Sequence, residues 1–304
     1  MASGEQTDEL GLEKLVTEGR LAQDADYDEL STRELLGLVN REDAIVPAAV
    51  AAAGDELAAA IDAIVAKLRG GGRLVYVGAG TSGRLAALDA EECESTFSTA
   101  PGQVTAIVAG ASLGSSAERD AAEDDEAAGA DAVRALVNAG DAVVGVSASG
   151  RTPFVVGALE AAAAAGALTV CVVSVPDSEL ARIAEHEVSV VVGPEIVAGS
   201  TRLKAGTAQK LVLNSISTLS MIRLGKTYGD LMVDVASTNE KLRVRARRAV
   251  SLATGASDDA VDAALAAAGG DAKVAIVSLL GDVDAEAARA QLERAAGNIR
   301  RALR

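Results

Sequence analysis

Five short apolar runs, Leu74–Val77, Val104–Val108, Ala142–Val146, Leu168–Val175 and Val188–Val192, recur between longer alanine-rich segments and constrain this chain more than any other feature. Each is too short for a helix and rich in β-branched residues, and none alternates with polar residues. Strands that are apolar on both faces belong in a parallel sheet covered by helices on each side. The segments between them open on helix-capping residues: Ser115, Thr152 ahead of Pro153, and Ser178. The pattern predicts an α/β domain with a doubly wound parallel sheet over residues 45–225.

The flanks read differently. Residues 1–44 form a polar arm and a short helix, started by the capping box Ser31-Thr32-Arg33-Glu34 ahead of Leu35, Leu36 and Val39. From Ala44 to Arg69 apolar positions recur at helical spacing, with Leu57, Ile61, Ile64, Val65 and Leu68 on one stripe, until Gly70-Gly71-Gly72 stops the helix. A long apolar helix is expected near Arg202–Leu224. Residues 226–304 read as a small C-terminal helical domain. Three short helical stretches are expected within 240–304, divided by Gly255, Gly269-Gly270 and Gly281, with Ser257 and Asp284 as caps.

With 304 residues, 49% of them hydrophobic, the chain can bury a sizeable core, yet no apolar run approaches the ~20 residues of a membrane span. The N-terminus lacks the basic start and apolar stretch of a signal peptide. Two cysteines, Cys93 and Cys171, lie far apart in the chain, which points to a reduced, cytoplasmic compartment. A net charge of −16 disfavours nucleic acid and anionic membrane as partners. Acidic, alanine-rich and poor in lysine, the chain has the composition of a halophile's protein, although a high-GC genome favours the same residues. An acidic protein that binds an anion must supply positive potential locally.

Two strand ends carry loops of that kind. The first gives Gly78-Ala79-Gly80-Thr81-Ser82-Gly83-Arg84 and the third gives Ser147-Ala148-Ser149-Gly150-Arg151-Thr152. Each is placed at the carboxyl end of a strand and opens a helix. There glycine permits close backbone approach, free N–H groups point outward, and the helix dipole favours negative charge. Hydroxyls add neutral donors. One such loop is a weak signal, but two on separate strands of one sheet make a phosphate cradle at a topological switch point. The first loop departs from the dinucleotide fingerprint after Gly83 and lacks a Walker ending, which disfavours a nicotinamide cofactor and ATP.

A third segment, Gly193-Pro194-Glu195-Ile196-Val197-Ala198-Gly199-Ser200-Thr201-Arg202-Leu203-Lys204-Ala205-Gly206-Thr207-Ala208-Gln209-Lys210, makes the likeness specific. The three segments in this order resemble the sugar-isomerase domain. The third, with Asp234-Val235-Ala236-Ser237-Thr238-Asn239-Glu240-Lys241-Leu242, resembles the N-acetylmuramic acid 6-phosphate etherases and their relative, the glucokinase regulatory protein. The resemblance runs from Thr17-Glu18 to the C-terminal helices. It implies a sugar-isomerase fold and a homodimer with an active site shared between subunits. It further implies a reaction without metal or other cofactor, in which water replaces the C3 lactyl ether of a sugar phosphate. Binding residues implied on the loops are Gly80, Thr81, Ser82, Gly83, Arg84, Ser147, Ser149, Gly150 and Thr152, and on the third segment Glu195, Ser200 and Lys204.

The family's acid motif reads here as Leu88-Asp89-Ala90-Glu91-Glu92-Cys93-Glu94-Ser95-Thr96, which puts Glu92 on the catalytic glutamate. Glu91 replaces a serine, and Glu94 and Ser95 replace two prolines. A second motif reads Asp120-Ala121-Ala122-Glu123-Asp124-Asp125 and puts Glu123 on the other catalytic carboxylate, with Asp120 in place of a glutamate. The arginine, asparagine and proline that follow Thr17-Glu18 in the family are replaced by Gly19-Arg20-Leu21. The chemistry asks for two such groups, because an alkyl ether leaves only when protonated and the C2 proton must be removed. Glu92 is expected as the acid on departing lactate and later the base on water, with Glu123 as the base at C2.

Other residues carry less. His186, the only histidine, precedes a strand and is expected at an edge, and a lone histidine excludes His-rich metal sites and a Ser-His-Asp triad at the loops. Cys93 is expected as a buried thiol supporting the loop beside Glu92, and Arg243–Arg248 as a solvated helix face. Two further readings stay open on the same fold: an aldose–ketose sugar-phosphate isomerase, and a non-catalytic sugar-phosphate sensor. Glu92 and Glu123 favour an enzyme, and the long third segment favours etherase over isomerase.

Overall fold

The computed structural model describes residues 16–21, 26–234 and 240–304. Within the segment Asp234–Leu242, residues 235–239 lie outside the described residues, as does most of the N-terminal arm. The contacts separate into two compact units. One comprises residues up to Asp89 with Thr105–Ile216, the other Ala90–Val104 with Ser217–Arg304. The chain passes between the units after Asp89, after Val104 and after Ile216.

The elements run α1 (Thr32–Asp43), α2 (Val46–Ala52), α3 (Gly54–Arg69), β1 (Leu74–Gly78), α4 (Gly80–Phe97), β2 (Val104–Val108), α5 (Ser116–Glu123) and α6 (Glu126–Leu136). They continue with β3 (Ala142–Val146), α7 (Pro153–Ala164), β4 (Leu168–Val173), α8 (Glu179–Ile183), β5 (His186–Ser189) and α9 (Lys204–Arg223). The capping box at Ser31 forms, with the Ser31 hydroxyl accepting from Glu34 N and the Glu34 carboxylate accepting from Ser31 N. The boxes and caps at Ser115 and Ser178 form as well.

The five strands make one sheet in the order β2-β1-β3-β4-β5, and the β1–β3, β3–β4 and β4–β5 pairs are parallel. Alternate side chains point to opposite faces of a strand. Val75, Val77, Val143, Cys171 and Val173 share one face and join a core with Val133 of α6 and Phe154, Val155 and Leu159 of α7. Gly145 of β3 belongs to that face, and a Cβ there would lie 2.6 Å from Leu159 Cδ1, so α7 comes unusually close to the sheet. The alternate residues Leu74, Tyr76, Val144, Val146 and Val170 are equally buried, which explains why the runs are apolar throughout. The helix α3 packs along β3, β4 and β5.

One expected strand is shifted. β5 occupies His186–Ser189 rather than Val188–Val192, pairing Val170 with His186 and Val173 with Ser189. Because β4 ends at Val173, the partner ladder ends there too. Val190 N still donates to Val173 O at 2.8 Å, but Val191 is exposed. His186 thus lies within the edge strand.

The second unit contains a two-stranded hairpin, β6 (Thr227–Tyr228) with β7 (Leu231–Met232), followed by α10 (Glu240–Thr254), α11 (Asp258–Ala267), α12 (Ala272–Gly281), α13 (Ala285–Arg294) and α14 (Ile299–Ala302). Five helices thus replace the three stretches expected. The breaks at Gly255, Gly269-Gly270 and Gly281 themselves divide four helices, and a fifth follows the break at Ala296 and Gly297, both at positive φ, after which Asn298 caps α14. α12 is buried along most of its length at the centre of this core. Asp234 accepts from Lys273 Nζ at 2.6 Å and pairs with Lys226 Nζ at 3.0 Å, joining the hairpin end to α12. Among the described residues no single helix is long and apolar enough to cross a membrane.

Candidate active site

In an open α/β sheet the crevice forms where neighbouring strands send their connections to opposite sides, outside the carboxyl ends. Here that point lies between β1, whose chain turns towards β2, and β3, whose chain continues to β4. A cleft of about 930 Å³ opens there, lined wholly by the first unit. Its floor is Gly80, Thr81 and Ser82 after β1, and Ser147, Ser149 and Thr152 after β3. Ser116, Arg119, Asp120 and Glu123 of α5 form one wall, and Ser200, Thr201 and Arg202 ahead of α9 contribute with Glu18 and Arg84.

The first loop is shaped by two glycines in contact. A Cβ on Gly83 would meet Gly78 O at 2.7 Å, so α4 starts directly against β1 and turns its first amides to the cleft. Arg84 Nη2 donates to Thr81 Oγ1 at 3.1 Å. Ser82 Oγ lies 3.0 Å from Gln209 Oε1 of α9. On the second loop Ser147 accepts from Gly150 N at 3.1 Å, and its hydroxyl lies 2.8 Å from Thr152 Oγ1 and 3.5 Å from Ser149 Oγ. Thr152 caps α7 by position without a side-chain cap bond, because its hydroxyl is engaged with Ser147. The first turn of α4 sets N–H groups beside these hydroxyls, an arrangement suited to an anion, whereas α7 opens on Pro153, which has no N–H, and Val155 N donates to Thr152 O at 2.9 Å.

Glu123, the last residue of α5, brings a carboxylate into the same cleft. Burial raises its pKa above the ordinary carboxylate value, the Asp120 and Asp124 charges raise it further, and the Arg84 guanidinium opposes them. Glu18 enters from the N-terminal segment, and a Cβ on Gly199 would lie 2.8 Å from its Oε2. The cleft therefore holds carboxylates and the cations Arg84, Arg119 and Arg202 above a floor of neutral donors.

Several expected residues stand elsewhere. Gly83 and Gly150 shape the loops without lining the cleft. Glu195 is 1% exposed and accepts from Lys204 N and Ala205 N, both at 3.0 Å, so it closes the first turn of α9. Lys204 is buried and pairs with Glu42 of α1 at 2.6 Å. Glu92 is exposed on α4, in the part of that helix that belongs to the second unit, and is not part of the lining. Cys93 is buried, as expected, and Cys171 is buried with its thiol pushed up to about 12 by loss of solvent and the Glu187 charge. Glu18, Ser116, Arg119, Asp120, Thr201 and Arg202 were not singled out as site residues. Helical spacing would have found two of them, since Arg119 and Asp120 precede Glu123 by four and three positions on α5.

Two family descriptions match the chain: the glucokinase regulatory protein N-terminal SIS domain over residues 56–163 and the SIS domain over residues 121–218. Curated relatives match almost end to end. The N-acetylmuramic acid 6-phosphate etherase of Rubrobacter xylanophilus is 56% identical, over 96% of this chain and 97% of its own length. That of Streptomyces coelicolor is 55% identical over 96% and 94%, and that of Escherichia coli O81 is 47% identical over 96% and 98%. Among solved structures, phosphoheptose isomerase from Francisella tularensis superposes with a TM-score of 0.50 at 18% identity, over 64% of this chain and 100% of that one. The last likeness shows the α/β sheet fold alone.

Proposed function

The chain belongs to the N-acetylmuramic acid 6-phosphate etherase family, and from that premise we propose how its cleft performs the family's reaction. It is a carbon–oxygen lyase that removes the D-lactyl group from C3 of N-acetylmuramic acid 6-phosphate and adds water. The products are N-acetylglucosamine 6-phosphate and D-lactate. Ser82, Ser147 and Thr152, with the first-turn amides of α4, hold the 6-phosphate. The sugar binds as its open-chain aldehyde, which acidifies the proton at C2. Glu123 takes that proton, the C3–O bond breaks, and lactate leaves with a proton from Glu92. Water then adds to C3 of the unsaturated aldehyde as Glu92 removes its proton, and Glu123 returns a proton to C2. The elements of one water are consumed and each carboxylate ends as it began.

The observation that carries this reading is the Glu123 carboxylate, held inside the cleft beside the first phosphate loop with its pKa raised. A general base works best with a pKa near the operating pH, and burial moves Glu123 in that direction. In a homodimer the exposed Glu92 of one copy completes the cleft of the other. The two buried free cysteines fit a reduced, cytoplasmic setting, and the −16 charge fits folding in strong salt. The test is lactate release from N-acetylmuramic acid 6-phosphate by the purified protein. Release that is lost in Glu123→Gln supports the reading, and no release from the wild type overturns it.

A further inference from the structure

We infer that Gln209 is a positioning residue for the phosphate site. Its carboxamide donates to Ser82 through Nε2 and so frees the Ser82 hydrogen for the ligand. The inference rests on the reading of the first loop as a phosphate cradle.

A phosphate dianion offers only acceptors, so a serine that holds it must point its single hydrogen at it. With Oε1 facing Ser82 at 3.0 Å, the hydroxyl donates to Gln209 and turns lone pairs to the cleft. At the same time Gln209 Nε2, on a side chain 3% exposed, meets no acceptor among the described residues. A buried amide donor without a partner is rare and costly. Half a turn of the carboxamide leaves every heavy atom in place and removes both conflicts: Nε2 donates to Ser82, and the hydroxyl hydrogen swings into the cleft. The carbonyl that replaces Nε2 is the less costly orphan of the two.

The second loop already has this arrangement. There Gly150 N donates to Ser147 Oγ at 3.1 Å, which leaves the Ser147 hydrogen free to point elsewhere. On the first loop no backbone N–H among the described residues takes that part, and Gln209 supplies it from α9. Close packing makes the reach possible: three residues earlier on the same face, a Cβ on Gly206 would lie 3.7 Å from Thr81 Cγ2.

The test uses inorganic phosphate as a competitive inhibitor of the full-length enzyme. Ser82→Ala should raise both KM and the phosphate Ki about ten- to a hundredfold, the size of a lost hydrogen bond to a charged group. Gln209→Glu, whose carboxylate only accepts, should raise both by a similar factor, with kcat changing less. Gln209→Met, which removes the donor without adding an acceptor, should give a smaller rise and serves if the Glu variant does not fold. In a Ser82→Ala background either Gln209 substitution should add less than about twofold, because the effect passes through Ser82. A purely structural role for Gln209 predicts the same loss in both backgrounds and overturns the inference. So does an unchanged phosphate Ki in the Gln209 variants while Ser82→Ala raises it. Unchanged Ki in Ser82→Ala overturns the phosphate reading of the loop itself.

Discussion

The Glu123 carboxylate stands against the bare α-carbon of Gly80: a Cβ added there would lie 2.7 Å from Glu123 Oε1. Gly80 also has φ of 51°, a left-handed conformation that a side chain disfavours. One residue therefore both starts α4 and leaves room for the base. Gly80→Ala should lower kcat about a hundredfold by displacing Glu123, while costing only about 1–2 kcal/mol of stability. Steady-state kinetics with thermal melts separates the two, and a kcat within twofold of wild type would break the link between this contact and catalysis.

The electrostatics of Glu123 give a pH prediction. Its pKa is raised first by burial and then by Asp120 and Asp124. As a base it acts when ionised, so activity rises with pH through its pKa. Asp120→Asn removes one raising charge and should move the acid limb of the kcat/KM profile to lower pH. Burial remains, so the limb should stay above the position of an ordinary glutamate. A limb that does not move would show that another group titrates there.

Most of the sheet was legible because its strands are buried on both faces, as the residues on either side of β1 and β3 show. β5 was misplaced because an edge strand ends where its partner ends, and the length of β4 is not written in residues 188–192. The loop residues Ser82, Ser147 and Thr152 could be read from position alone. Glu18, Arg202 and Gln209 could not, because they come to the two loops from distant segments and only folding brings them there. Glu195 and Lys204, expected to bind the ligand, have partners within the protein. A charged residue within a family segment can serve the backbone or a neighbouring helix, as these do through α9 and Glu42.

Asp141 ties the start of β1 to that of β3. Its carboxylate is 1% exposed; burial raises its pKa, but the Arg73 side chain and the Asn138 and Arg73 amides outweigh that and leave it lowered. Its contribution is therefore complete above the unfolded pKa near 4 and fades as pH falls through the lower folded value. Asp141→Ala should cost about 2–4 kcal/mol at pH 7, by urea denaturation, and less at pH 2. An equal loss at both pH values would assign the effect to packing instead of charge.

The charge of −16 should make folding depend on salt, because screening relieves self-repulsion. Melting temperature should climb between 0.1 M and 3 M KCl. A flat profile would attribute the acidity to genome composition.

The central claim is that Glu123 is the base at C2 within the cleft, distinct from the acid that releases lactate. Incubating N-acetylmuramic acid 6-phosphate with each variant in D₂O reads both steps at once, deuterium entering at C2 and lactate leaving from C3. Glu92→Gln should still exchange the C2 proton while losing lactate release, and Glu123→Gln should lose both, each loss being about 10²–10⁴-fold. Exchange retained in Glu123→Gln but lost in Glu92→Gln would reverse the roles, and exchange and lactate release surviving in both would contradict the account.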